Sequence, residues 1–308
     1  MQVPKPLRPL KTEFYLWRKA IRQGRFWSYI YSAYGLAPRI RRRTQPIDRP
    51  VTHPELTVHM LLCHRDLTMA LWSLASYYAV TSVTGQLMIH SDGTLTEADR
   101  ALIARLLPNA VVVTPDEADA AVRAADIPEA VREFRLTQPV VYLKKLVDTS
   151  VLAKTPYHLL IDSDLAWFRV PEEIEHAVRA GERCARMTLN SRHCPVYIKG
   201  DRELPEEYSQ YNGGIIFFHE DAIDLAKLIE FFDLLDMEKK QLFIGQSGHA
   251  YCLSHLEPLA YERYPMRGEI TEQTVMMHYS QPRRVRFYTD ALPILKDRLN
   301  SSERYHDR

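Results

Sequence analysis

Only four cysteines (Cys63, Cys184, Cys194 and Cys252) are scattered through the 308 residues, and no two form a Cys-x-x-Cys pair. That spacing argues against a structural zinc module and a dense disulfide framework, and points to reduced, mostly buried thiols. No run approaches the roughly 18 apolar residues needed to span a bilayer. The N-terminus, MQVPKPLRPLKTEF, lacks the continuous apolar core of a secretory signal. The expected location is therefore cytoplasmic. Internal repeats and low-complexity tracts are also missing. Net charge is only +1, so the chain as a whole announces no partner of either sign. What remains is ordinary for a globular protein: 46% hydrophobic and 26% charged residues, and enough length for a substantial core.

The charge is unevenly placed. Residues 1–50 carry twelve Lys or Arg against two acids, Glu13 and Asp48, which leaves a mildly acidic body. This arm predicts a helix from about Thr12 to Tyr34 that mixes Trp17, Ile21, Phe26, Trp27, Ile30 and Tyr31 with arginines and lysines. The Pro-punctuated basic run Pro38–Arg43 follows it. Two readings stand. The aromatics enter an anionic membrane surface, a peripheral contact at the inner face of a membrane, or they pack on the body and the arginines are solvated. No nucleic-acid partner is expected, since the body is acidic and no reading element follows the arm.

From residue 57 the pattern alternates. Val58–Cys63, Gln86–His90, Ala110–Val113 and Tyr157–Ile161 read as strands. Between them fall a helix with Asp66 as its N-cap, a helix opened by Thr96 and Asp99, an acidic alanine-rich stretch, and a helix from about Pro139 to Leu152. Such alternation predicts an α/β fold, a doubly wound, mixed but mainly parallel sheet behind a basic helical arm. Ligands then bind beyond the carboxyl ends of the strands. The expected organisation is an arm (1–50), one domain (51–300) with a nucleotide-binding half (55–165) and a sugar- and acceptor-binding half (166–300), and a polar tail (301–308).

Asp162-Ser163-Asp164 is the one Asp-x-Asp in the chain, and it closes the fourth strand. Two carboxylates partly desolvated at a strand end repel unless a cation lies between them. Mg²⁺ or Mn²⁺ answers that need and bridges to substrate phosphates. The plain alternative is one capping acid and one solvated acid. His278 ends the apolar run Thr274–Met277 and either completes a metal set or is a satisfied core histidine. Asn212-Gly213-Gly214 reads as a turn that tolerates positive φ and close backbone approach, with the Asn amide free to meet a sugar hydroxyl; alternatively it is a plain turn before a buried strand. Arg283 and Arg284 either clamp a phosphate bidentately or are solvated.

Taken together, LLIDSDLAWFRVPEEI, Lys144–Asp148, YNGGIIFF (211–218) and Met277-His278-Tyr279 followed by Arg283, Arg284, Phe287 and Tyr288 resemble GT-A-type glycosyltransferases in order and spacing over roughly residues 55–295. The resemblance implies a divalent metal on Asp162, Asp164 and His278 beneath the diphosphate of a nucleotide-sugar donor. It also implies hexosyl transfer to a hydroxyl of a glycan or glycolipid acceptor. Lys145 and Arg283 would face the diphosphate beside Ser163, Gly213 and Gly214. Asn212 and Gln246 would orient the sugar, which with Asp164 makes them the candidate catalytic residues. His64, Arg65 and Asp92, at the ends of the first two strands, would meet the nucleoside. One departure is Gly245, where the family commonly has an acid; Glu269 and Glu272 are candidate substitutes. With no clear base, a retaining course is favoured. Acceptor choice is expected from loops near 184–210 and 255–272. The rival readings are a binding module that has lost turnover and a metal-dependent phosphoesterase, the latter disfavoured by Ala166 and Trp167 where Asp-x-Asp-x-Thr is needed.

Overall fold

A computed structural model describes residues 8–138, 141–281 and 283–306. The start of the helix expected from Pro139 and the end of the polar tail lie outside these residues. Eleven strands are described: β1 Leu56–Leu62, β2 Gln86–Ser91, β3 Val111–Val113, β4 Tyr157–Ile161, β5 Leu165–Trp167, β6 Ala185–Leu189, β7 Tyr197–Ile198, β8 Arg202–Glu203, β9 Tyr211–His219, β10 Leu256–Pro258 and β11 Met276–His278. Seven of them form the central sheet in the order β10-β6-β9-β4-β1-β2-β3. β4, β1, β2 and β3 run parallel, as do β6 and β10, while β9 is antiparallel to both its neighbours. The expected mixed, mainly parallel sheet is therefore present.

Local chemistry explains the elements. β1 and β4 are apolar along nearly their whole length because helices cover both faces of a parallel sheet. The helix Glu97–Leu106 begins with a full capping box between Thr96 and Asp99. The acidic, alanine-rich stretch forms two helices, Pro115–Ala124 and Glu129–Thr137, the first opened by a second capping box between Thr114 and Glu117. Asp66 departs from expectation. It stands at the N-cap position of the helix Leu67–Val80, yet its side chain makes no capping bond and turns to arginines instead.

Three buried histidines cross the sheet side by side. His90 Nε2 lies 3.0 Å from His59 Nδ1, and His59 Nε2 lies 3.2 Å from His158 Nδ1, which links β2, β1 and β4. Burial keeps them neutral. It lowers His59 well below the usual imidazole value, and it lowers His90 and His158 to about 4, with Lys145 adding to the effect at His90 and His219 at His158.

The arm packs and is exposed at once. The helix Arg8–Arg22 ends before Gly24, whose φ of +65° is left-handed. Leu16, Ala20 and Tyr29 are buried against Val285, the Tyr29 ring meets Tyr288 edge-on at 5.5 Å, and Arg25 pairs with Asp290. Leu36, Ala37, Ile40 and Ile47 go further and join the main core, and Trp72 Nε1 donates to the Ala37 carbonyl at 2.9 Å. The opposite face of the arm is bare. Among the described residues, seven of the ten exposed large hydrophobic side chains lie between Phe14 and Tyr34, with Phe14 66%, Ile21 60% and Trp27 80% exposed.

Candidate active site

β4 ends at Ile161, the chain turns through Asp162-Ser163-Asp164, and β5 departs antiparallel to β11, with Leu165 opposite His278. This crossing unites residues more than a hundred positions apart. His278 Nε2 stands 3.1 Å from Asp164 Oδ1 and 3.7 Å from Asp162 Oδ2. One ligand atom from each of Asp162, Asp164 and His278 lies within 4.8 Å of the others.

The imidazole is oriented from behind. Asn212 Oδ1 accepts the Gly214 N–H at 2.8 Å, which fixes that atom as the acceptor, and it lies 2.8 Å from His278 Nδ1. The network therefore assigns a hydrogen to Nδ1 and turns Nε2 toward two carboxylates. Two carboxylates converging there call for a positive charge among the three groups, a proton on Nε2 or a metal ion in its place. Two carboxylate oxygens and a backed imidazole nitrogen are a donor set that fits Mn²⁺ or Mg²⁺.

Asn212-Gly213-Gly214 is not a free turn. It lies within β9, and neither glycine has positive φ. The glycines make room instead: a Cβ on Gly214 would stand 2.5 Å from His278 Nδ1, and one on Gly213 would stand 3.3 Å from Gln246 Cβ. The Asn212 Nδ2 donates one of its hydrogens to Asn190 Oδ1 at 3.0 Å, and the residue lines the adjoining cleft. Its Oδ1 holds His278.

Asp164 is buried, and burial alone would raise its pKa. His278 and then Arg284 outweigh that and hold it well below the usual carboxylate range. Arg284 is itself buried; it lies 3.2 Å from Asp164 and donates to both oxygens of Asp66 at 2.7 and 3.1 Å. Arg65 closes the chain with two bonds to Asp66 at 2.8 and 2.9 Å. Arg284 is thus paired with carboxylates rather than solvated, and it lines the same cleft. Lys145 pairs with Asp162.

These groups open onto a cleft of about 720 Å³ that also receives Arg65, Asp92, Ser163, Gly213, Gln246 and Arg283. Gln246 Oε1 accepts the Gly213 N–H at 3.3 Å. His64 is not among the residues that line the cleft. Its ring turns to Asp99, with Nδ1 2.5 Å from Oδ2. Glu272 lines a separate cavity beside Phe168 and Arg263, and Glu269 is exposed. Sequence reasoning missed Asn190, Asp66 and His249. His249 is fully buried, bonds the Gly245 carbonyl through Nδ1 at 2.7 Å, and is lowered by burial to about 4.

Comparison with solved structures decides the fold. It is shared with glycosyltransferases. The apo structure of WbbM, a bifunctional glycosyltransferase, matches 82% of this chain at 13% identity with a TM-score of 0.53, and this chain spans half of that one. Mouse xyloside xylosyltransferase 1 in its apo form matches 74% of this chain and 98% of its own at 11% identity, with a TM-score of 0.50. The expected GT-A-type α/β architecture is therefore the observed one. No family model matches the sequence, and no curated protein does either. Among the described residues no helix is long and apolar enough to cross a membrane.

Proposed function

We propose that the protein is a metal-dependent glycosyltransferase that moves a hexosyl group from a nucleoside diphosphate sugar to a hydroxyl of a glycan or glycolipid. The observation that carries this reading is the Asp162–Asp164–His278 set, with the His278 Nε2 turned inward by Asn212, at the carboxyl end of β4. Those three residues would hold Mn²⁺ or Mg²⁺, which supplies charge stabilisation to a departing diphosphate.

The chain's own groups do the rest. Lys145 lines the cleft as a cation for the donor phosphates. Gln246, whose Nε2 makes no hydrogen bond within the protein, is placed to orient the sugar. Arg65 and Asp92 line the end assigned to the nucleoside. No cleft carboxylate is left over as a base among the described residues: Asp66 and Asp164 serve Arg284, Asp162 serves Lys145, and Asp92 accepts from Thr94 at 2.6 Å. A retaining course, which needs no such base, suits this arrangement. The test is binding of nucleoside diphosphates with and without Mn²⁺. A second reading, a binding module without turnover, draws on Gly245. It requires nucleotide binding with neither transfer nor donor hydrolysis.

The exposed arm face supports a peripheral contact with an anionic bilayer at the inner face of a membrane. Phe14 and Ile21 share one helical face, Trp27 and Tyr31 follow, and Arg18, Lys19 and Arg22 flank them. The variant Phe14→Ser, Ile21→Ser, Trp27→Ser should keep the thermal midpoint and lose at least about tenfold in affinity for phosphatidylglycerol vesicles. Equal binding by the variant, or none by the parent, would contradict the contact.

A further inference from the structure

Two arginines, Arg192 and Arg283, line the cleft and a third, Arg267, lies near them, and none of the three makes an ion pair among the described residues. Arg283 is partly buried, donates to Ser191 Oγ at 3.2 Å and to Ser280 Oγ at 2.8 Å, and leaves a buried Nε without a partner. Arg192 lines the same cleft, and Arg267 follows the cleft-lining Met266. Burial, then Arg267 and Arg192, lower the Arg283 pKa below the usual guanidinium value, against the opposing effects of Tyr261 and Asp164. Several other arginines are answered by carboxylates. Arg135 pairs with Asp119 and Asp148, Arg186 with Glu182 and Glu257, and Arg284 with Asp66 and Asp164. A partly desolvated guanidinium beside two like charges is unfavourable unless an anion joins it.

The origin of the three side chains indicates which substrate brings that anion. Arg192 follows β6 and Arg267 lies between β10 and β11, the two loop regions from which acceptor choice is expected. Lys145 and the Asp162–Asp164–His278 set come from other elements, the helix Val141–Leu152, the end of β4 and β11. We infer that the acceptor carries an anionic oxygen group, phosphoryl or carboxyl, held by Arg192, Arg267 and Arg283 while its hydroxyl faces the donor sugar. The planar guanidinium fork matches either oxyanion bidentately. The inference rests on the glycosyl-transfer reading and adds the class of acceptor.

The test is titration with inorganic phosphate, and in parallel with acetate, followed by thermal unfolding of the full chain in excess chelator. Phosphate, or acetate if the group is a carboxylate, should raise the midpoint. The double variant Arg192→Gln, Arg267→Gln should weaken that response at least tenfold, whereas Lys227→Gln, remote from the cleft, should not. The response should persist when the cleft is saturated with Mn²⁺ and the nucleoside diphosphate that binds best. No response to either anion, or an equal response in the double variant, overturns the inference. Displacement of the anion by the metal-bound nucleotide assigns the arginines to the donor and overturns it as well. Failure of every nucleoside diphosphate to bind would instead overturn the glycosyl-transfer reading, and the acceptor assignment with it. The two failures are therefore distinguishable.

Discussion

Asp162→Asn should lower glycosyl transfer by roughly a hundredfold or more, the scale on which enzymes lose rate when one group stabilising developing charge is removed. It should weaken Mn²⁺ binding in parallel. Asp162 is partly exposed and paired with Lys145, so its loss should cost little stability, about 1 kcal/mol or less. Asp164→Asn should lose activity on the same scale but also disturb the buried chain through Arg284 and His278. The contrast separates a metal ligand from a structural acid. Activity measured alongside Mn²⁺ titration of the purified variants checks it, and wild-type-like turnover in either one removes the metal assignment.

Arg284→Met should produce the largest loss of stability. The side chain neutralises Asp66 and Asp164, both buried. Removing one partner of a buried pair typically costs about 3–5 kcal/mol, because a charge is left uncompensated. Asp66 keeps Arg65, so most of the penalty falls on Asp164. Mn²⁺ should therefore stabilise Arg284→Met more than the parent, since a cation on Asp164 replaces the missing charge. Thermal unfolding of both proteins with and without Mn²⁺ reads this directly. An unchanged midpoint in metal-free Arg284→Met would contradict the assignment of Asp164 as an ionised group that depends on Arg284.

Much of this was legible in the sequence wherever local pattern and function coincide. The apolar runs that became β1, β2 and β4 needed no tertiary information. Neither did the Thr96–Asp99 capping box, because the physics that fixes it acts within four residues. Asp162 and Asp164 could be singled out because they end a buried strand, and His278 because it ends another. Long-range pairing was not legible. Asp66 has the sequence signature of an N-cap, and only the fold brings Arg284 to it from 218 positions away. The glycines of β9 look like turn residues until His278 is seen filling the space that a Gly214 side chain would need. His64 follows its strand as a nucleoside-binding residue would, yet Asp99 from the helix after β2 pairs with its ring. Glu272, a candidate base by composition, lies in another cavity. In each case the missing information was the identity of a distant partner, which no local spacing encodes.

The arm shows how two sequence readings of one segment combine. An amphipathic helix needs only one face to dock, and Leu16, Ala20 and Tyr29 supply it. The aromatic residues on the other side are therefore free for a surface while the arm stays fixed to the segment that carries Arg283 and Arg284.

The central claim is a metal-dependent site for a nucleoside diphosphate sugar. Thermal unfolding against UDP, GDP, CMP, ADP and dTDP, each with and without Mn²⁺, tests it most directly. A ligand at about 100 times its dissociation constant adds roughly 2.7 kcal/mol. The expected result is one diphosphate that raises the midpoint only when Mn²⁺ is present, with the effect lost in Asp162→Asn. No stabilisation by any of the five nucleotides, with or without metal, would contradict the claim and leave a glycosyltransferase fold without its donor.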